Sequence, residues 1–527
     1  MTSPRVHGLL LGIIVLLAAI FRVAVLNVPF GRNPEGCAAF FGLVARNYFR
    51  YDWSQHHGVP IMSLGQGAPV VYYANHPPTT PLLVGLTFAL TGYRGGYELL
   101  PGDWQVRVPT GIFTVACIAL LYVILRNRAG PRAGLLAAAM FAVIPMSLVY
   151  GGFPDVISPQ LVLFALLTFA AYERFHDAPG AKTLAILCAC FLGAAIMDWP
   201  AFHMVPVMCF HYVLTRKRRE WAWVVAFGLF TVAVFASLYV YLALAQHDWL
   251  WMKALIAKRS LNTAEDNHTR FTLLQWAQRT MWQYVVGEHT LPIVALAIAG
   301  VIVAATRKFR GPADRIMGLL LIWAALHALL GLQAVYQHVW WWWPLTPGLI
   351  IAAAVALDWL MTQISAPGRI RQRGVNGAIA CGLLLLASFT ARSAWNTLTG
   401  PTNMGDGPNS YSLQEIGDAI RAAGKPNQAV MVMENDDSLD FWYYADRAIK
   451  TQVWDPGTFQ RRLNEPFADL NFRQVEDWHG PTSAIVIPKF YIDQFPKIVS
   501  PLVDYLDARY KRAEHGKFLI YTWEQER

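Results

Sequence analysis

The sequence predicts an α-helical polytopic membrane protein with a small C-terminal α/β domain outside the membrane. Three observations carry that prediction. Of 527 residues, 55% are hydrophobic and 15% charged, against roughly 45–50% and 25% in soluble domains. The apolar residues gather in runs such as LLLGIIVLLAAIF (9–21), TVACIALLYVIL (114–125) and WVVAFGLFTVAVFASLYVYLALA (223–245). About 20 helical residues cross about 30 Å of hydrocarbon, so these runs have spanning length. Charge divides along the chain as well. Residues 1–399 hold 29 Lys and Arg against 15 Asp and Glu, and residues 400–527 hold 14 against 19. A soluble multidomain enzyme is excluded.

The spans follow from the basic clusters, which mark the inner face of a membrane protein. They are Arg126/Arg128/Arg132, Arg174 with Lys182, Arg216/Lys217/Arg218/Arg219, Arg307/Lys308/Arg310/Arg315 and Arg369/Arg371/Arg373. All five fall inside only if two helices separate each neighbouring pair. The apolar segments 133–150 and 157–173, 183–199 and 201–215, 221–245 and 291–306, and 316–336 and 339–361 supply those pairs. Helix 8–28 leads out, helix 108–125 returns, and helix 375–395 exits. The total is eleven spans in a membrane domain 1–399, with the acidic tail outside. PTTPLLVGLTFALTG (78–92) is apolar but short and bounded by prolines and Gly92, so it reads as a helix on or dipping into the outer face. Counting it as a span raises the total toward twelve or thirteen. The N-terminal run outlasts a signal peptide and lacks a cleavage site, so it reads as a retained first helix.

Basic residues confined to short loops serve orientation, so nucleic acid is not an expected partner; the lipid bilayer is. Cys37, Cys117, Cys188, Cys190, Cys209 and Cys381 show no zinc spacing or disulfide framework, and five sit in apolar runs as small hydrophobes. Two large outer loops remain, 29–107 and 246–290. In the second, WLWMKALIAKR (249–259) and FTLLQWAQRTMWQYVV (271–286) mix Trp with basic residues at helical spacing, as interfacial helices do. In the tail, QEIGDAIRAAG reads as an amphipathic helix, and AVMVM, SAIVI and KFLIYTW read as strands of a domain spanning 400–527.

Carboxylates collect at the outer helix ends: Glu35 after the first helix, Asp155 in GGFPDV and Asp198 in IMDWP. Ionisable groups near membrane depth mark pathways or active sites, so chemistry is expected outside. Glu35 reads as a general base or as a solvated loop carboxylate. Asp155 and Asp198 each neighbour a proline, where capping, a salt bridge and catalysis are all open. Arg22 reads as a snorkelling side chain, and both it and Arg107 are candidates for holding a phosphate. His76 and His338 lie outside too, without metal-ligand spacing, and WWWW (340–343) reads as an interfacial belt.

Taken in order, these stretches resemble the C-type (GT-C) membrane glycosyltransferases, above all the protein O-mannosyltransferases and lipid A aminoarabinose transferases. The stretches are IFRVAVL with Arg22, NPEGCAAFFGLVARNYF (33–49), NHPPTTPLLVGL (75–86), VRVPTGIFTVACIALLY (106–122), GGFPDVISPQLVLFAL with Asp155, and HVWWWWPLTPGL (338–349). Two departures stand out. Pro34 replaces the Asp of the family's acidic pair, and the basic residue expected shortly after His-Pro-Pro is absent from TTPLL.

The resemblance implies a GT-C-like fold of about 11–13 transmembrane helices in the bacterial inner membrane, with the C-terminal domain periplasmic. It implies transfer of a sugar from a polyprenyl-phosphate donor to an envelope lipid, glycan or protein, with inversion at the anomeric carbon. In that scheme Glu35 is the base, and Asp155 assists it or helps hold a divalent metal. Arg22, His76, Arg107, Asp198, Lys258, Arg259, Arg270, Arg279 and His338 contact substrate, with Arg107 and the loop cations on the donor phosphate. The implied proximity of Glu35 and Asp155 places both in one outward cavity. The rival classes are a flippase for lipid-linked sugars and a non-catalytic assembly protein; the first predicts internal repeats and midplane polar residues, and neither is visible.

Overall fold

The computed structural model describes residues 4–30, 36–63, 70–96, 100–216, 220–260, 270–365, 369–400, 408–425, 428–433, 443–446, 449–452, 482–508 and 510–522. The protein is predominantly helical and divides into two compact units. The first holds residues 1–26, 74–80 and 107–398, and the second holds 27–73, 81–106 and 399–527.

Every span expected from the sequence is helical in the structure. In chain order the helices are α1 (Pro4–Val25), α2 (Gly36–Asn47), α3 (Trp53–His56), α4 (Thr79–Leu90), α5 (Asp103–Ala129), α6 (Pro131–Val143), α7 (Pro145–Tyr150), α8 (Pro159–Asp177), α9 (Ala181–Ala195), α10 (Met204–Thr215), α11 (Trp221–Gln246) and α12 (Trp251–Ser260). There follow α13 (Leu273–Ala277), a π-helical stretch Gln278–Val286, α14 (Gly287–His289), α15 (Leu291–Thr306), α16 (Asp314–Leu330), α17 (Leu332–Gln337), α18 (Leu345–Ser365) and α19 (Arg369–Thr399). Among the described residues, α1, α5, α11 and Leu345–Gln363 are each long and apolar enough to cross a membrane alone. Some of the remaining spans are broken, whereas α8 and α19 run unbroken over 19 and 31 residues. Pro145 divides 133–150, because the residue before a proline avoids the helical region and Ile144 is extended. Gly331 separates α16 from α17. Most of α11 is unburied, with Leu229, Val232 and Val240 turned outward. In water such a face would be a liability; in lipid it is the ordinary state of a span.

Close helix packing in the first unit depends on small residues. A Cβ at Gly300 would stand 2.0 Å from the Ala352 carbonyl oxygen. α15 therefore lies against α18 at a separation only glycine permits. α18 also packs on α6 and α16 through the continuous buried run 349–357.

The second unit contains a five-stranded sheet ordered β2 (Ile449–Gln452), β1 (Ala429–Met433), β3 (Thr482–Pro488), β5 (Phe518–Thr522), β4 (Lys511–His515). β2, β1 and β3 are parallel, and β5 and β4 are antiparallel additions. Met431, Met433, Ile485, Ile487, Leu519 and Tyr521 form one face, covered by Val499, Leu502 and Leu506. These last three lie on the second of two further helices, α21 (Lys489–Gln494) and α22 (Pro496–Asp507). α20 (Leu413–Ala423) packs on β1, β3 and β5 through Ile416, Ala419 and Ile420. Ser412 and Glu415 close its start as a reciprocal capping box. The same unit holds Arg46 and Arg50 of the first outer loop, both paired with buried Asp446 at 3.0 and 2.6 Å. Burial lowers the Arg46 pKa, and the Asp446 charge opposes that shift. Asn47 bonds the carbonyls of Ile61 and Ser63 at 2.8 and 3.0 Å. The Ala-Arg-Asn element is thus a set of ties within the second unit.

Candidate active site

The polar residues singled out in the first unit converge at one end of its helices, the outer end by the topology the basic clusters predict. Arg107, near the start of α5, is buried; its Nη1 donates to the Leu26 carbonyl at 2.8 Å and its guanidinium lies 5.9 Å from the Phe153 ring. Asp155 sits in the turn between α7 and α8, and its Oδ1 accepts the Val156 and Ile157 amides at 2.6 and 3.2 Å. These two turn amides hold the carboxylate in a fixed orientation ahead of α8. The Asp155 carbonyl receives Thr80 Oγ1 and Gln160 Nε2, each at 3.4 Å. Arg22 does not snorkel. It turns inward, where Nη1 reaches Ala18 and Nη2 reaches the Ser147 hydroxyl at 2.7 Å. A Cβ at Gly151 would come within 3.1 Å of that Nη2, so the glycine keeps the space open.

A second group joins the His-Pro-Pro segment to the end of α9. His76 Nδ1 lies 2.7 Å from Asp198 Oδ1, with both side chains buried. Thr79 Oγ1 donates to the Ile196 carbonyl at 2.6 Å, and Trp199 Nε1 to the Asn75 carbonyl at 2.9 Å. Among the described residues, buried Asp198 Oδ2 has no hydrogen-bond partner. A desolvated carboxylate oxygen without a donor is costly.

The loop 246–290 supplies cations on aromatic faces. From α12, Arg259 lies 5.0 Å from the Trp341 ring. From the π-helical stretch, Arg279 lies 4.8 Å from Tyr336 and 5.6 Å from Tyr284, and its Nε donates to the Tyr284 hydroxyl at 2.6 Å. Lys258 and Arg270 are exposed. Rings connect this loop to Arg107: Phe153 to Tyr150 at 6.2 Å, Tyr150 to Trp340 at 6.4 Å, Trp340 to His338 at 4.9 Å, and His338 to Trp341 at 6.3 Å. The WWWW stretch is therefore largely buried packing, with Trp341, Trp342 and Trp343 inside.

The fold has counterparts among known proteins. Residues 75–243 match the family described as dolichyl-phosphate-mannose-protein mannosyltransferase. ArnT from Cupriavidus metallidurans bound to undecaprenyl phosphate superposes with a TM-score of 0.59 at 15% identity, over 98% of this chain and 98% of that one. The chain shares the fold of that protein. The Archaeoglobus fulgidus oligosaccharyltransferase in complex with Zn and sulfate is also similar to this chain. Its TM-score is 0.57 at 14% identity, covering 97% of this chain and 73% of that one. The AglB oligosaccharyltransferase from the same organism, with an inhibitory peptide and a dolichol-phosphate, gives 0.56 at 14%, over 97% and 74%. No curated protein sequence matches the chain.

Of the candidate residues named from sequence, Arg107, Asp155, His76, Asp198, Arg259, Arg279 and His338 fall in the first unit at this one end. Glu35, with Pro34, lies outside the described residues. Among the described residues no three His, Cys, Asp or Glu side chains converge as a metal site. Asp155 Oδ1 is held by backbone amides, and Glu35, the other carboxylate of the implied pair, lies outside the described residues.

Sequence reasoning missed Glu288. It sits on α14, which packs against α7, and its charge acts on the Tyr150 hydroxyl. The helical stretch Leu273–His289 is turned by 102° from α15, and its Leu273, Leu274 and Trp282 are exposed. It therefore lies along the interface, ahead of the span. Desolvation there raises the Glu288 pKa from 4.5 to about 7. The adjacent His289 contacts the Val285 carbonyl through Nδ1 and Thr346 Oγ1 through Nε2. That pairing puts the ring proton on Nδ1. Nothing in GEHTLP distinguishes Glu288 from an ordinary loop acid; only its packing does.

Proposed function

We propose that this chain transfers a sugar from a polyprenyl-phosphate carrier to an acceptor hydroxyl or amine on the outer side of the cytoplasmic membrane, with inversion at the anomeric carbon. The observation that carries the reading is that the mannosyltransferase-family match spans 75–243. Within it, His76, Arg107, Asp155 and Asp198 are buried at one end of the helices. The named solved structures, in complex with undecaprenyl phosphate and dolichol-phosphate, support a polyprenyl-linked donor.

In the proposed reaction the bond between the anomeric carbon and the phosphate oxygen breaks, and a bond to the acceptor atom forms from the opposite face. The carrier leaves as polyprenyl phosphate. The acceptor proton passes to Glu35, the base of the scheme, with Asp155 orienting the acceptor. Arg107, Arg259 and Arg279 offset the charge gathering on the departing phosphate; guanidinium groups suit this role because they bind phosphate in a planar fork. His76 and Asp198 bind sugar hydroxyls, with Oδ2 of Asp198 the acceptor.

Purified full-length protein incubated with a panel of radiolabelled polyprenyl-phosphate sugars tests the proposal. Release of polyprenyl phosphate with label in an acceptor is the expected result. Sugar crossing a sealed bilayer on its carrier without cleavage would instead establish the flippase reading.

A further inference from the structure

A cavity of about 790 Å³ lies at the other end of the same helices. Arg107 and Arg128 stand 21 residues apart on α5, which at 1.5 Å per residue separates the cavity from the candidate site by about 30 Å. The volume falls within the roughly 300–1,000 Å³ typical of small-molecule sites. Two of its faces differ in chemistry. Leu120, Val123 and Ile186 form an apolar wall, with Val123 and Ile186 opening sideways from α5 and α9. Arg128, Arg174, Arg310 and Arg315 form the rim with Glu173 and Asp177. Arg128 pairs with Glu173, and Arg315 pairs with Asp177 at 2.7 Å. Among the described residues, Arg174 and Arg310 carry no ion pair, so the rim holds two uncompensated positive charges beside an apolar wall.

We infer that this cavity binds an anionic glycerophospholipid of the inner leaflet. Its phosphate would sit between Arg174 and Arg310, and an acyl chain would lie along Leu120, Val123 and Ile186. Charge complementarity selects the head group, because basic pockets between transmembrane helices on the inner side attract anionic lipids. The wall selects a lipid over a free phosphate, because an inorganic ion leaves the apolar surface uncovered. The site stands apart from the transfer reaction proposed above, and its test reads lipid retention, not turnover.

Delipidated full-length protein is titrated with phosphatidylglycerol and separately with phosphatidylcholine, and retained lipid is counted by native mass spectrometry. One phosphatidylglycerol should be retained in preference to phosphatidylcholine. R174A/R310A should weaken it about 30-fold, the effect of two basic contacts at a membrane surface. R174K/R310K keeps both charges and should retain the lipid, which separates loss of charge from loss of fold. Equal retention of phosphatidylcholine, unchanged retention in R174A/R310A, or complete displacement by inorganic phosphate would each overturn the assignment.

Discussion

The two ends of the first unit both collect arginine, and they use it in opposite ways. At the outer end Arg22 and Arg107 are buried and committed to backbone and hydroxyl oxygens, while Arg259 and Arg279 are laid on aromatic rings. At the inner end one pair, Arg128 with Glu173, is mostly buried, and the other is open, with Arg315 about one-third exposed and Asp177 nearly two-thirds. Buried groups with fixed partners provide the preorganisation that catalysis needs; exposed pairs are screened and interchangeable. The sign of charge alone therefore says little about which end does chemistry. Burial and partner number say more.

That contrast can be broken in several places. The largest effect is expected from Glu35→Gln, which keeps size but cannot accept a proton. Turnover should fall about 10²–10⁴-fold while donor binding persists, as single-turnover kinetics and a separate donor-binding assay would show. Arg259→Ala and Arg279→Ala should each weaken donor binding about 10–100-fold, the worth of a charge-assisted hydrogen bond, as competition with unlabelled polyprenyl phosphate would measure. Arg107→Ala is a blunter probe, because its Leu26 contact is structural.

Asp198→Ala should destabilise the protein by about 1–3 kcal/mol in thermal unfolding, because it leaves the buried His76 nitrogen without its partner. Glu288→Gln acts through pH. With a folded pKa of about 7 against 4.5, the wild-type protein binds more protons folded than unfolded between those values. Its stability is fully present below 4.5 and is lost as pH rises toward 7. The variant should match wild type in thermal unfolding near pH 4 and exceed it at pH 8. At the inner end, Arg315→Ala should cost no more than about 1 kcal/mol and leave turnover unchanged. A turnover loss there comparable to that of Glu35→Gln would erase the distinction between the ends.

Much of this was legible in the sequence, for identifiable reasons. The apolar runs and basic clusters marked the long helices of the first unit, because the bilayer forces both length and charge placement. The short 78–92 segment is helical over Thr79–Leu90, as its bounding prolines and Gly92 indicated. β1, β3 and β5 were readable as apolar runs. β2 (IKTQ) and β4 (KRAEH) were not, because short polar edge strands lack a buried face to impose alternation. The gathering of the first outer loop with the tail in one unit left no local signal either. It depends on Arg46 and Arg50 meeting Asp446, about 400 positions later. His76, Arg107, Asp155 and Asp198 were named because polar residues at helix ends near apolar runs are conspicuous, and they lie buried in the first unit. Tyr150, Phe153 and Glu288 were not found. Aromatic residues are common in such spans, and a raised carboxylate pKa comes from tertiary burial that no local pattern records.

The central claim is that the buried polar cluster at the outer end, not the basic cavity at the inner end, receives the sugar donor. A photoreactive polyprenyl-phosphate sugar, incubated with purified protein and mapped by peptide mass spectrometry, tests it directly. Label that unlabelled donor competes away should fall on residues 75–80, 151–158 and 246–290. Competable label confined to 307–315 and the inner ends of α5 and α8 would contradict the account.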